Sequence, residues 1–141
     1  MANAAIKPSG TEIAWTRDAF RDFLKIRAST TLLRLRTGDD IKARLTFHNA
    51  GSSMEPTVLV GHINGVGYSG AAFKELAYFV NVDKNAKTVT IDALKGKAFV
   101  LHPVHTAANA ADKRPATSAA YASATGAFTI PPRTALVYVV N

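Results

Sequence analysis

The spacing of apolar residues changes once along this chain, near residue 39. Before that point Phe20, Phe23, Leu24 and Arg27 recur at i, i+3, i+4 and i+7, with Ile26 beside them. Arg17, Arg21 and Lys25 recur at i, i+4 and i+8 on another stripe. One apolar and one solvated face at this spacing predict an amphipathic helix. The helix is expected to start near Arg17, with Thr16 as its cap and Asp18 in the first turn, where the helix dipole favours an anion. The β-branched Thr30 and Thr31 weaken it after about Ala28, and Thr37-Gly38-Asp39-Asp40 is the clearer break. Pro8-Ser9-Gly10 reads as a breaker, so residues 1–11 are expected to be a flexible lead-in.

After residue 39 the period shortens to two. Ile41, Ala43, Leu45 and Phe47 alternate with Lys42, Arg44, Thr46 and His48, the pattern of a half-buried strand. Further strands are predicted at 57–63, 75–82, 87–92, 98–101, 126–130 and 134–140. The strand at 75–82 is the most apolar and is placed at the centre. Three glycines mark 64–70 as a loop, and 83–86 has hairpin length. Residues 107–124 hold nine alanines and no strand pattern, and Pro115 interrupts any helical turn there. Short strands without room for crossover helices between them imply antiparallel pairing. The predicted fold is therefore mainly β: an antiparallel β-sandwich of about seven or eight strands, preceded by one amphipathic α-helix.

Composition narrows the classes. At 141 residues the chain is one domain's worth, and 48% apolar with 19% charged residues is ordinary for a globular protein. It has no cysteine, which removes disulfides, thiol catalysis and Cys-based zinc sites. The start lacks the charged and apolar regions of a signal peptide, and no apolar run is long enough to span a membrane, so no membrane insertion is expected. The compartment stays open, because a secreted or cell-surface parent would carry its signal upstream. The net charge of +7 is spread, with nine Lys/Arg against five Asp/Glu in residues 1–49 and eight against five in residues 50–141. No basic stripe with interleaved aromatics appears, so nucleic acid is not expected as a partner.

No catalytic constellation emerges. His102 and His105 lie three apart but follow a strand and flank Pro103, and no third ligand is near in sequence, so structural roles are favoured over a metal site. Asp39, Asp40, Asp83, Asp92 and Asp112 fall in loops or at strand ends, where turn and cap roles prevail. There is no nucleophile elbow, P-loop or dinucleotide fingerprint, and no cofactor is called for. Tyr68 and Tyr121, in loops, are the candidates for glycan stacking, whereas Tyr78 is assigned to the core. Trp15, Phe20, Phe23 and Leu24 are the candidates for packing at a domain interface. The helix that carries them cannot bury its Phe face alone.

Several separated segments carry a resemblance in the right order. Phe20-Arg-Asp-Phe-Leu-Lys-Ile-Arg-Ala-Ser-Thr-Thr-Leu-Leu-Arg-Leu35, led in by Glu12-Ile-Ala-Trp-Thr-Arg-Asp18, resembles the last barrel helix and exit segment of α-amylase-type glycoside hydrolases, the pullulanase type in particular. Lys74-Glu-Leu-Ala-Tyr-Phe-Val-Asn-Val-Asp-Lys84, Gly96-Lys-Ala-Phe-Val-Leu-His-Pro-Val-His105 and Phe128-Thr-Ile-Pro-Pro-Arg-Thr-Ala135 resemble the C-terminal all-β domain of those enzymes. The resemblance implies a parent that hydrolyses α-1,6 linkages in pullulan or starch-like glucans, with its catalytic carboxylates upstream of this chain. No residue here matches those motifs. It implies boundaries at 12–38 for the helix and exit segment and 39–141 for the sandwich. The expected role is non-catalytic, and the catalytic barrel is the expected partner. A glucan-binding module is the first alternative and a basic adaptor for acidic partners the second.

Overall fold

The structure is a computed structural model that describes residues 6–141. It opens on helix α1, Gly10–Ala28. The expected cap at Thr16 is displaced seven residues upstream. Ser9 accepts from the Glu12 amide while the Glu12 carboxylate accepts from the Ser9 amide, a closed capping box. Pro8-Ser9-Gly10 is thus a helix start, and Trp15 lies inside the helix. The part of the expected lead-in before residue 6 lies outside the described residues.

The strand expected from Ile41 is the second correction. Gly38–Arg44 forms a short helix, α2, and only Leu45–His48 is strand, β1. The alternation fits either element. The local signals decide for helix: Thr37 Oγ1 accepts from the Asp40 amide at 3.0 Å, Asp39 and Asp40 occupy the first turn, and Lys42 and Arg44 occupy the last.

The remaining strands are β2 (Val58–Asn64), β3 (Glu75–Asn81), β4 (Lys87–Thr90), β5 (Val100–Leu101), β6 (Ala120–Ala122), β7 (Ala127–Ile130) and β8 (Thr134–Val140). β5 keeps only two of the four residues expected. β6 falls in the alanine-rich stretch where none was expected. Two short helices, α3 (Pro103–Thr106) and α4 (Arg114–Ser118), lie between β5 and β6. Pro115 opens α4 instead of breaking it, because a first-turn amide has no helical partner to lose.

All pairs are antiparallel, in a five-stranded sheet ordered β1-β2-β3-β8-β5 and a three-stranded sheet ordered β4-β7-β6. The most apolar strand, β3, is central, as its sequence required. Between the sheets lies an aromatic core: Phe79 meets Phe128 at 4.6 Å between centroids, and Phe99 and Tyr138 meet Phe128 edge-on. The chain crosses from sheet to sheet at Pro131–Pro132, where the buried Asn81 amide donates to the carbonyls of Asn85, Ile130 and Pro131.

The five-stranded sheet is apolar on both faces. One faces the small sheet. On the other, Ile63, Leu76, Val137 and Val139 pack with Ile26 of α1 and Leu32 of the following 3₁₀ turn. The molecule therefore has three layers, the third one incomplete.

Candidate docking face

Helix α1 carries two stripes. Trp15, Ala19, Asp22, Ile26 and Ser29, spaced four, three, four and three, face the sandwich. Ile26 is 1% exposed. Trp15 Nε1 donates to the Ala111 carbonyl at 3.0 Å, and the Ala111 amide donates to Asp22 at 2.8 Å, so two side chains two turns apart grip the backbone of one residue. Ser29 Oγ lies 2.9 Å from His102 Nε2. Ile13, Phe20 and Leu24 form the outward stripe, with Phe23 on its flank. Phe20 is 63% exposed, Ile13 57% and Leu24 47%. The helix has docked through a largely small and polar stripe and turned its phenylalanine face to solvent, the reverse of the usual arrangement for a surface helix.

This face continues onto the sheet. The side of the large sheet that α1 covers at the Ile63–Leu76–Val139 end lies open at the other. Register places Leu59, Val80 and Ala135 in one row across it, and Phe47, Gly61, Tyr78 and Val137 in the next. Leu59 is 50% exposed and Phe47 55%. Beside this strip, a groove of about 540 Å³ runs between Trp15, Phe20 and Phe23 of α1 and Val80 and Ala135 of the sheet, with Val82 just past the end of β3. Across the strip, Leu35, Ile41 and Leu45 border a second hollow that reaches Tyr78. Exposed large apolar side chains therefore cluster along this side of the molecule. Its polar margin is Asp112 and Arg114, paired at 2.7 Å, with the Arg114 guanidinium over the Trp15 ring.

Trp15, Phe20, Phe23 and Leu24, singled out from sequence, thus lie on or beside one surface. Phe47, Leu59 and Ile41 were missed. Their signal was present in β2, where Val58, Leu59, Val60 and Ile63 are apolar on both faces of one strand, a pattern that calls for a cover on each.

The two tyrosines considered for glycan stacking belong to separate core clusters. Tyr121 stacks on Phe128 at 4.3 Å and donates its hydroxyl to the Leu94 carbonyl at 2.6 Å. Tyr68 lies under the Arg44 guanidinium, 4.7 Å from its ring centre, and its hydroxyl accepts from the Arg36 amide. Neither presents a ring free on both faces. Tyr78, assigned to the core, is half-buried on the open strip.

Three of the four histidines have side-chain hydrogen bonds, and the buried His48 Nε2 has none among the described residues. His105 Nε2 accepts from the Val137 amide at 3.0 Å, and burial drops its pKa to about 4. Burial also lowers His102. His48 and His62, from adjacent strands, meet at 5.7 Å between ring centres. His62 Nε2 lies 2.7 Å from Glu75, whose same oxygen holds Lys97 at 2.6 Å. Burial lowers both rings, and in His62 it outweighs the attraction of Glu75. Among the described residues no group of three or more His, Asp or Glu is placed to hold a metal ion, and no helix is long and apolar enough to cross a membrane.

The described residues thus form a β-sandwich with a docked helix and one apolar flank left uncovered. Comparison with known proteins specifies the family. The family model described as alpha-1,6-glucosidases, pullulanase-type, C-terminal matches residues 1–141, and the chain belongs to that family. It is 33% identical over 146 residues to pullulanase 1, chloroplastic, from Arabidopsis thaliana, covering 99% of this chain and 15% of that protein. The crystal structure of PulA from Klebsiella oxytoca superposes with a TM-score of 0.81 at 21% identity, over 94% of this chain and 12% of that one. A maltotriose complex of PulA from Klebsiella pneumoniae gives 0.80 at 22%, over 94% of this chain and 14% of that one. These structures share the fold. The chain spans under a sixth of the length of the relatives it matches.

Proposed function

We propose that this chain is a non-catalytic accessory domain that supports the catalytic barrel of a pullulanase-type debranching enzyme, one that hydrolyses α-1,6-glucosidic linkages in pullulan or starch-like glucans. In this reading residues 12–38 are the barrel's last helix and its exit segment, and residues 39–141 are the sandwich that holds them. The observation that carries it is the inverted helix α1. Its Phe20 and Leu24 face is exposed although the same helix is firmly hydrogen-bonded through Trp15, Asp22 and Ser29. An apolar helix face left open beside an open apolar strip of sheet fits a missing neighbour in the same polypeptide. Exposed area of that kind is worth roughly 25 cal/mol per Å² once covered.

Two measurements test this. Purified chain incubated with pullulan is expected to release no reducing sugar, and release that persists through repeated purification would overturn the non-catalytic assignment. Separately expressed catalytic portion of a pullulanase is expected to bind the chain and gain thermal stability from it. Phe20→Asp with Leu24→Asp should abolish that binding. Equal binding by this variant would overturn the docking assignment. Titration with maltooligosaccharides is expected to leave the Tyr68 and Tyr121 resonances unmoved.

A further inference from the structure

We infer that His102 and His105 form an acid-labile latch that holds α1 on the sandwich and opens when His105 gains a second proton. The inference goes beyond the docking role and stands whatever covers the outer face.

Strand β8 has only a two-residue partner on this side, Val100 and Leu101, which pair with Val139 and Tyr138. At Val137 the chain has already turned into α3. The His102 amide still reaches the Val137 carbonyl at 2.9 Å, but among the described residues no backbone acceptor remains for the Val137 amide. The His105 side chain takes that place, its Nε2 accepting at 3.0 Å. An imidazole nitrogen that accepts carries no proton, so the ring is neutral with its hydrogen on Nδ1. His102 is fixed in the opposite form. Its Nδ1 accepts from the Val104 amide at 3.2 Å. Ser29 Oγ donates to the Ile26 carbonyl at 2.8 Å, so it accepts from His102 Nε2–H. Two histidines three residues apart are thus held as opposite tautomers, one joined to α1 and one to β8.

Phe23 of α1 packs edge-on against the His105 ring at 6.3 Å, so ring and helix share a position. A proton on Nε2 would set two donors, Nε2–H and the Val137 amide, against each other in a buried site, and the Val137 N–H would lose its only acceptor. The charged groups facing His105 are few. His102 opposes protonation, while Asp22 of α1 and Asp112 attract it. Those two carboxylates are already engaged, Asp22 by Lys25 at 2.8 Å and Asp112 by Arg114 at 2.7 Å. β8 presents only backbone. Burial prevails and holds the folded value near 4 against an ordinary 6.5. Because the folded pKa is the lower one, the unlatched form binds protons first. The latch is intact above pH 6.5, weakens as pH falls toward 4, and loses nothing more below that.

The test uses the ¹⁵N-labelled chain. At pH 7 long-range ¹H–¹⁵N spectra are expected to show protonated Nδ1 at His105 and protonated Nε2 at His102. Protection of the Val137 and Ala111 amides against exchange is expected to fall by roughly two orders of magnitude between pH 6.5 and 4, while the Phe79 amide in the core stays protected. His105→Gln, whose side-chain carbonyl accepts from Val137 without titrating, should keep that protection flat across the same range. A protonated Nε2 at His105, equal loss at Phe79, or an unchanged pH profile in His105→Gln would each overturn the latch. If the variant fails to fold, the wild-type tautomers and the Val137–Phe79 contrast decide.

Discussion

Tyr138 sits at the centre of β8, 3% exposed, with its ring edge-on to Phe79 and Phe128, and its hydroxyl has no hydrogen-bond partner among the described residues. Burial pushes its pKa up to about 12. A hydroxyl removed from water without a partner costs about 1–3 kcal/mol, whereas the ring's packing survives its removal. Tyr138→Phe is therefore expected to be neutral or to raise stability by about 1 kcal/mol, read as a higher urea midpoint at unchanged slope. A drop of that size would show that the oxygen has a partner. The same scale explains Gly61. A Cβ there would collide with the Tyr78 ring, because the two are opposed across β2 and β3 and the ring lies over the glycine. Neither fact was legible in the sequence. Tyr78 lies in the strand the sequence placed it in but is half-buried where core was expected; which side chain lies across which glycine depends on register, and register depends on pairings far apart in the chain.

Elements were legible where one signal dominated and misread where two competed. Strands β2, β3 and β8 were fixed by long apolar runs between turn residues. In residues 41–48 a two-residue alternation ran through a stretch that also carried a complete set of helix-start signals, and the chain obeys both in turn. The Thr37 cap holds α2 for seven residues, and β1 begins at Leu45 where it can pair with Ile63. Thr37→Ala is expected to cost about 1 kcal/mol, the usual loss for a cap. Helical chemical shifts across 38–44 should weaken while the β1 shifts persist. If both elements lost structure together, the cap would be supporting more than its own helix. The alanine-rich loop was unreadable for another reason. Its role is to be gripped, and the groups gripped at Ala111 are backbone N–H and C=O, which every residue carries.

At the scale of the whole molecule, the two stripes of α1 make opposite demands that can be separated. The inward stripe holds the helix to the sandwich. Ile26 is buried among Leu32, Ile63, Val137 and Val139, so Ile26→Ala should cost about 2–5 kcal/mol in the isolated chain, within the range for emptying a packed aliphatic site. The outward stripe contributes little to the isolated fold, since Phe20 and Leu24 already contact water. Phe20→Asp with Leu24→Asp should change its stability by no more than about 0.5 kcal/mol, as for surface substitutions generally, and should reduce self-association by removing an apolar patch. In a chain that also carries the barrel, the ranking should reverse, with the outward pair becoming the more destabilising change because it would place two charges in a covered interface. Chemical denaturation of each variant, alone and joined to a pullulanase catalytic portion, measures all four quantities. Equal cost of the outward pair in both settings would mean that the phenylalanine face of α1 is ordinary surface, and the open third layer of this sandwich would then need another explanation.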